Sequence, residues 1–76
     1  MKDFVEYVAK LLVDEPSTVE VEEFGDEEAS IIKLKVSKED LGKVIGKKGR
    51  TAKAMRTLLA AAAARDEKRT TLEIIE

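Results

Sequence analysis

The apolar residues in the first part of the chain recur at the spacing of a helix. Between residues 3 and 13 they fall three or four positions apart, at Phe4, Val5, Val8, Leu11 and Leu12. This spacing places apolar side chains along one face of an α-helix. Pro16 ends the helix, because a proline pushes the preceding residue out of the α region. We therefore predict an amphipathic helix that stops before Pro16.

Two segments that alternate between apolar and polar residues follow this helix. The first covers residues 18–24, where Val19 and Val21 alternate with acids. The second covers residues 30–36, and its apolar face consists of Ile32, Leu34 and Val36. Alternation with a period of two is typical of a half-buried strand. Since only the short turn 25–28 separates the two segments, they are expected to form an antiparallel hairpin.

Helical spacing returns after Ser37. Ser37 and Asp40 match a capping box, in which the serine hydroxyl accepts from the backbone three residues on and the acid reaches back. The short helix that follows has an apolar face of Leu41, Val44 and Ile45. The sequence Gly-Lys-Lys-Gly at 46–49 then breaks this helix.

A longer helix and a strand complete the pattern. The helix runs from about residue 50 to residue 64, and its apolar stripe is Met55, Leu58, Leu59 and Ala62. Its alanine run favours helix and allows close packing against a sheet. The strand covers residues 70–75, where Leu72 and Ile74 are expected to face the core.

The elements have the order α-β-β-α-α-β in one domain, residues 1–76. The last strand follows a two-helix crossover, which is long enough to return it parallel to a hairpin strand. A right-handed crossover places both helices on one face of the sheet. We therefore predict an α+β fold with a three-stranded mixed sheet and all helices on one face. Phe4 and Val44 are expected in the core and Ile45 partly in the core. Tyr7 and Phe24 are candidates for the core edge, which we favour, or for a partner surface.

Composition excludes several classes of function. The 76 residues include neither cysteine nor histidine, which removes disulfides, thiolate zinc sites and the commonest general base. The acids lack metal-type spacing and no serine stands beside a plausible base, so we expect no enzyme, cofactor or metal site. No apolar run approaches the roughly 20 residues of a membrane span, and the first residues do not resemble a signal peptide. A cytoplasmic protein is expected.

The net charge of −2 conceals a strong segregation of charge along the chain. Residues 1–30 contain two bases and ten acids, a net of −8. Residues 31–69 contain twelve bases and four acids, a net of +8. Asymmetry of this size suggests one face that attracts an anionic ligand and another that repels it.

The basic segment coincides with the glycine turn. Six bases lie within fourteen residues with no acid between them: Lys43, Lys47, Lys48, Arg50, Lys53 and Arg56. Glycines at both ends of the turn let a ligand approach the backbone closely. The turn also leads into a helix N-terminus, whose exposed N–H groups attract phosphate. This combination favours phosphate contacts that fix a nucleic-acid strand in position.

The sequence Val44-Ile45-Gly46-Lys47-Lys48-Gly49-Arg50, set between two helices after a hairpin and before a last strand, resembles a KH domain. The element order resembles the type II arrangement. Ile45, Gly46 and Gly49 meet the family pattern I-G-x-x-G. Nearly the whole chain takes part in the resemblance, and its size and first helix are similar to the small bacterial single-KH proteins of the KhpA kind.

The resemblance implies a site and a function. KH domains clamp a run of about four nucleotides of single-stranded RNA at the G-x-x-G loop. The residues implied for RNA binding are Ile45, Gly46, Lys47, Lys48, Gly49, Arg50, Lys43 and Lys53. An aliphatic groove beside the loop would involve Val44, Ile45 and the strand near residues 31–35. The resemblance also implies a second KH-containing RNA-binding protein as partner, or self-association, and a role as an RNA chaperone in cell-envelope and cell-length control.

Two other functions fit parts of the pattern. Two helices around a short turn also describe a DNA-binding helix-turn-helix, with Arg50, Lys53, Arg56 and Thr57 available to read bases. The acidic first third is also compatible with a protein-interaction module within a heterodimer. The second alternative can hold together with RNA binding.

Overall fold

Three helices and three strands make up the structure, a computed structural model that describes residues 1–75. In chain order they are α1 (Lys2–Leu12), β1 (Glu20–Gly25), β2 (Ala29–Lys35), α2 (Leu41–Ile45), α3 (Arg50–Arg65) and β3 (Arg69–Ile75). Short 3₁₀ turns at Pro16–Thr18, Lys38–Asp40 and Lys47–Gly49 precede β1, α2 and α3 respectively. The order α-β-β-α-α-β is therefore confirmed.

The strands form one mixed sheet in the order β1-β2-β3. β1 and β2 are antiparallel, with Glu20 opposite Lys35, and β2 and β3 are parallel, with Ile32 opposite Leu72. The central strand thus pairs with its hairpin neighbour on one side and with the crossover strand on the other. This is a three-stranded mixed sheet, as predicted, and it has the arrangement that the resemblance implies.

The core lies between this sheet and the helices. Ile32 and Leu34 of β2 are fully buried, whereas their neighbours Ile31 and Lys35 are exposed. The helices contribute Val5, Ala9, Val44, Met55 and Leu59 to the same buried cluster, and the outer strands contribute Val21 and Leu72. All three helices therefore pack on one face of the sheet. Val44 is in the core and Ile45 is half-buried, as predicted.

Several apolar side chains predicted in the core, or on a helix face directed toward it, are exposed. The exposed fractions are Phe4 39%, Tyr7 66%, Phe24 48%, Leu11 68% and Leu58 56%, and Ala62 is also exposed. On α3 the buried stripe is Ala52, Met55, Leu59 and Ala63. It is rotated from the predicted stripe because small alanines, rather than the bulkier Leu58, pack closest to the sheet. On α1, Val5 and Ala9 fill the same role.

Phe24 is exposed for a different reason. It lies opposite Ile31 in the antiparallel pair, and directly opposed residues share a face of the sheet. That face is the one without helices. The Phe24 ring lies under the ammonium of Lys33, 5.4 Å from the ring centre.

Within residues 1–75, no helix is both long and apolar enough to cross a membrane.

Candidate nucleic-acid interface

The turn at 46–49 is built from unusual backbone conformations. Gly46 has φ 80° and ψ 169°, Lys48 has φ 58° and Gly49 has φ 74°. The Gly49 N–H donates to the Gly46 carbonyl at 3.1 Å and closes the turn. Residues other than glycine rarely adopt a positive φ, so Lys48 holds a conformation that costs energy. Lys47 and Lys48, which are both exposed, therefore lie in a tight turn whose backbone conformation is well defined.

The two glycines are needed for different reasons. A β-carbon at Gly46 would lie 2.8 Å from the backbone nitrogen of Thr51, a distance that real contacts do not reach. A β-carbon at Gly49 would have no atom within 4 Å. Gly46 therefore allows the turn to pack on the first residues of α3. Gly49 leaves open space, through which a ligand can approach the backbone.

Four of the predicted cations lie in the turn or in the first residues of α3. Lys47, Lys48, Arg50 and Lys53 are all exposed. In the part of the chain that the structure describes, none of the four forms an ion pair. Arg50 begins the 16-residue helix α3, whose N-terminus carries a partial positive charge. The side chains and the helix end together favour an anion in front of the turn.

Lys43 is placed differently from these four cations. Its ammonium pairs with the Asp14 carboxylate and lies 3.7 Å from Oδ1 of Asp40. The hydrogen bond to Asp14 raises the pKa of Lys43 above its usual 10.5, although burial opposes this, and the charge of both acids adds to the effect. The structure therefore joins Lys43 to two carboxylates and does not leave it as a free cation beside the turn.

The apolar surface beside the turn comes from α2. Ile45 is half-buried and directly precedes Gly46, whereas Val44 is fully buried. In β2, Ile32 and Leu34 are buried beneath the helices, and Ile31, Lys33 and Lys35 lie on the opposite face of the sheet. The contribution of residues 31–35 to a groove therefore stays a prediction from the family resemblance. A central strand directs every side chain either into the core or away from the helices.

Asp40 has a different role from the predicted capping box. It is buried, and its carboxylate accepts the backbone N–H of Asp14 and of Glu15, each at 3.2 Å. The Ser37 hydroxyl donates to the same carboxylate at 3.2 Å and does not cap the helix. The capping box is therefore wrong. The acid instead ties the α1–β1 connection to the start of α2, and residue spacing gave no sign of these distant partners.

The pKa of Asp40 is lowered from its usual 3.8. Burial raises it, but the hydrogen bonds from Asp14, Glu15 and Ser37, together with the charge of Lys43, outweigh burial. A carboxyl whose pKa is lower in the folded state contributes stability above its unfolded pKa. That contribution is lost as the pH falls below 3.8 and through the lower folded value.

Asp40→Asn is expected to lower the stability near neutral pH and to reduce the loss of stability below pH 3.8. The amide lacks the charge that the two backbone N–H groups and Lys43 stabilise. Urea unfolding at a series of pH values measures both effects. The matched control is Glu39→Gln, which alters the exposed acid beside it. Parallel pH curves for the wild type and Asp40→Asn would contradict this assignment.

Comparison with known proteins settles the family. Residues 2–74 match the family model described as "KhpA/KhpB, KH domain". The chain belongs to this family. It is similar to "RNA-binding protein KhpA" of Clostridium perfringens, with 56% identity over 75 residues that cover 99% of this chain and 100% of the relative. The proteins of the same name from Caldanaerobacter subterraneus and Chlamydia trachomatis are 53% and 49% identical, covering 99% and 100% of this chain and 100% and 97% of theirs. No solved structure matches the chain.

Family membership confirms the resemblance drawn from the I-G-x-x-G pattern and the element order. In this domain the side chains of Lys47, Lys48, Arg50 and Lys53 are exposed, and Ile45, Gly46 and Gly49 are half-buried beside them in the chain. The side chain of Lys43 instead pairs with the neighbouring acids Asp14 and Asp40. One further cation is ordered by the structure, because Nε of Arg56 donates to the Leu72 carbonyl at 3.3 Å. The sequence showed Arg56 as basic but not where its side chain lies.

Proposed function

We propose that this chain, as a single KH domain acting in the cytoplasm, binds single-stranded RNA at the turn 46–49 and catalyses no reaction. The observation that carries the proposal is the open backbone at Gly49, bordered by exposed Lys47, Lys48 and Arg50 at the N-terminus of α3. The printed name of the relatives, "RNA-binding protein KhpA", supports RNA as the ligand.

The site favours contacts with the nucleic-acid backbone. Lysine ammonium groups and helix N–H groups bind phosphate oxygens, which are the same at every nucleotide. The missing β-carbon at Gly49 lets a phosphate come close to those N–H groups. Such contacts fix the position of a strand without reading its sequence. Any preference for a particular RNA sequence must therefore come from side chains next to the turn.

Binding is expected to weaken steeply with salt. Each neutralised phosphate of a single strand contributes about −0.7 to the slope of log K against log salt. If two to four phosphates are held, the slope lies between about −1.4 and −2.8. Fluorescence anisotropy with a labelled decamer of uridine, between about 50 and 200 mM salt, measures the slope. A flat response would mean that the lysines do not contact phosphate.

The same assay separates RNA binding from the helix-turn-helix alternative. Unlabelled decauridine and a DNA duplex of equal length compete against the labelled RNA. We expect the single strand to compete more strongly, because a four-nucleotide clamp suits an unpaired strand. Stronger competition by the duplex would overturn the proposal.

We also propose that the domain works in a pair, with a second KH-containing RNA-binding protein or with a copy of itself. One domain that holds about four nucleotides binds weakly, and linking two sites can raise avidity by about 10²–10⁴. The role of an RNA chaperone that affects cell envelope and cell length stays a prediction from the family resemblance.

A further inference from the structure

β3 has a free edge whose backbone groups can be identified from its pairing. The Arg69 N–H donates to the Glu28 carbonyl at 2.9 Å, and the Ile75 carbonyl accepts from Val36 at 3.2 Å. Both groups point toward the β2 side of the sheet. Backbone groups of successive strand residues point to opposite edges. The N–H and C=O groups of Thr70, Leu72 and Ile74 therefore point away from β2, along the edge that no strand covers.

The side chain of Arg56 is hydrogen-bonded to this edge. Its Nε donates to the Leu72 carbonyl at 3.3 Å, while the residue as a whole is exposed. A guanidinium has five N–H donors, so four remain on its two terminal nitrogens. Among residues 1–75, no carboxylate oxygen lies within 4.0 Å of Arg56. The guanidinium is thus held in place by one donor and keeps a two-pronged set of donors for a ligand.

Arg56 lies on the route of a strand that starts at the turn. It follows Lys53 by three residues, so the two lie along one flank of α3, and Gly49 directly precedes the first residue of this helix. Seven residues of helix span about 10 Å. An RNA strand whose phosphates are held at Gly49 and Lys53 passes Arg56 if it continues along this flank.

We infer that Arg56 determines base preference, by binding a nucleobase that presents two neighbouring acceptors. Guanine offers the neighbouring acceptors O6 and N7, and cytosine offers O2 and N3. In adenine the amino group lies beside N1 and N7, and in uracil the N3–H donor lies between O2 and O4, so neither base presents such a pair. The carbonyls at the β3 edge disfavour a phosphate in this position, because they repel its oxygens. This inference rests on the proposed function and assigns a specificity to the same site.

The test uses decamers of uridine that are unchanged or carry one central guanine, cytosine or adenine. The wild-type chain is expected to bind the guanine or the cytosine decamer about 5- to 150-fold more tightly than the unchanged one, the range measured for bidentate arginine contacts. Arg56→Gln should abolish this preference and leave affinity for the unchanged decamer within about twofold. Arg56→Lys should abolish it as well, because lysine lacks the planar fork.

Arg65→Gln is the matched control, since it makes the same charge change nine residues further along α3 and should keep the preference. Equal affinity of the wild type for all four decamers would overturn the inference. So would an equal loss on all decamers in Arg56→Gln, which would make Arg56 a phosphate contact. Arg56→Lys decides the question if Arg56→Gln does not fold. Failure of the wild type to bind any decamer would instead contradict the proposed function.

Discussion

Loss of RNA binding with an unchanged fold is the expected result of replacing both lysines of the turn by aspartate. Lys47→Asp with Lys48→Asp changes the local charge by four units, directly where a phosphate would lie. Both side chains are exposed, and surface substitutions usually change stability by under about 0.5 kcal/mol. Aspartate also tolerates the positive φ of 58° at Lys48 better than most residues. Retention of labelled RNA and circular dichroism of the purified variant measure both parts.

A second double variant separates the role of the turn from the effect of net charge. Lys38→Asp with Lys68→Asp makes the same change at two exposed positions outside the turn. This control should bind RNA with little loss, because it leaves both lysines of the turn in place. Retained binding in the turn variant would refute the clamp. Equal loss in both variants would attribute binding to overall charge.

Gly46→Ala and Gly49→Ala make the same chemical change and are expected to have different effects. Gly46→Ala should lower the free energy of unfolding by about 3 kcal/mol, since it combines a strained backbone conformation with a clash against Thr51. Gly49→Ala meets no neighbour and should lose only about 1 kcal/mol, the cost of a left-handed residue. For a chain of 76 residues, total stability is about 4–11 kcal/mol, so the first loss is large.

Urea unfolding followed by circular dichroism measures both variants, and RNA anisotropy on the same samples shows where the ligand lies. We expect Gly49→Ala to weaken RNA binding although its fold is nearly unaffected, because the added methyl group fills the open approach to the backbone. If Gly46→Ala and Gly49→Ala lower the free energy of unfolding equally, the start of α3 adjusts to the added methyl group at position 46. Unchanged RNA affinity in Gly49→Ala would place the ligand elsewhere on the turn.

The fold could be predicted from local patterns, because the apolar residues of each helix and strand recur with the period of that element. Alternation in residues 30–36 identified β2, and the glycines at 46 and 49 marked the break between α2 and α3. The rotation of each helix did not follow. Whether Leu58 or Ala63 faces the sheet depends on how closely alanines allow α3 to approach, which one helix pattern does not record. The candidate site was predicted where its residues are contiguous, at 46–50.

Contacts between distant parts of the chain were not predictable in the same way. Asp40 bonds to Asp14 and Glu15, more than twenty residues away, and its spacing from Ser37 suggested a local cap instead. Lys43 belonged to a run of bases in the sequence but lies beside acids in the structure. Arg56 depends on β3, which only the sheet pairing brings next to α3.

The parallel pairing of β2 with β3 also sets the order in which this domain can assemble. Ala29 pairs with Arg69, so a loop of about 40 residues must close before the sheet is complete, and such distant pairings form slowly. A nascent chain that has emerged only to residue 65 holds the glycine turn and both of its helices. It lacks Leu72 in the core and the edge that holds Arg56. During synthesis, the residues of the turn are therefore present before the strand that completes the core beside α3 and holds Arg56.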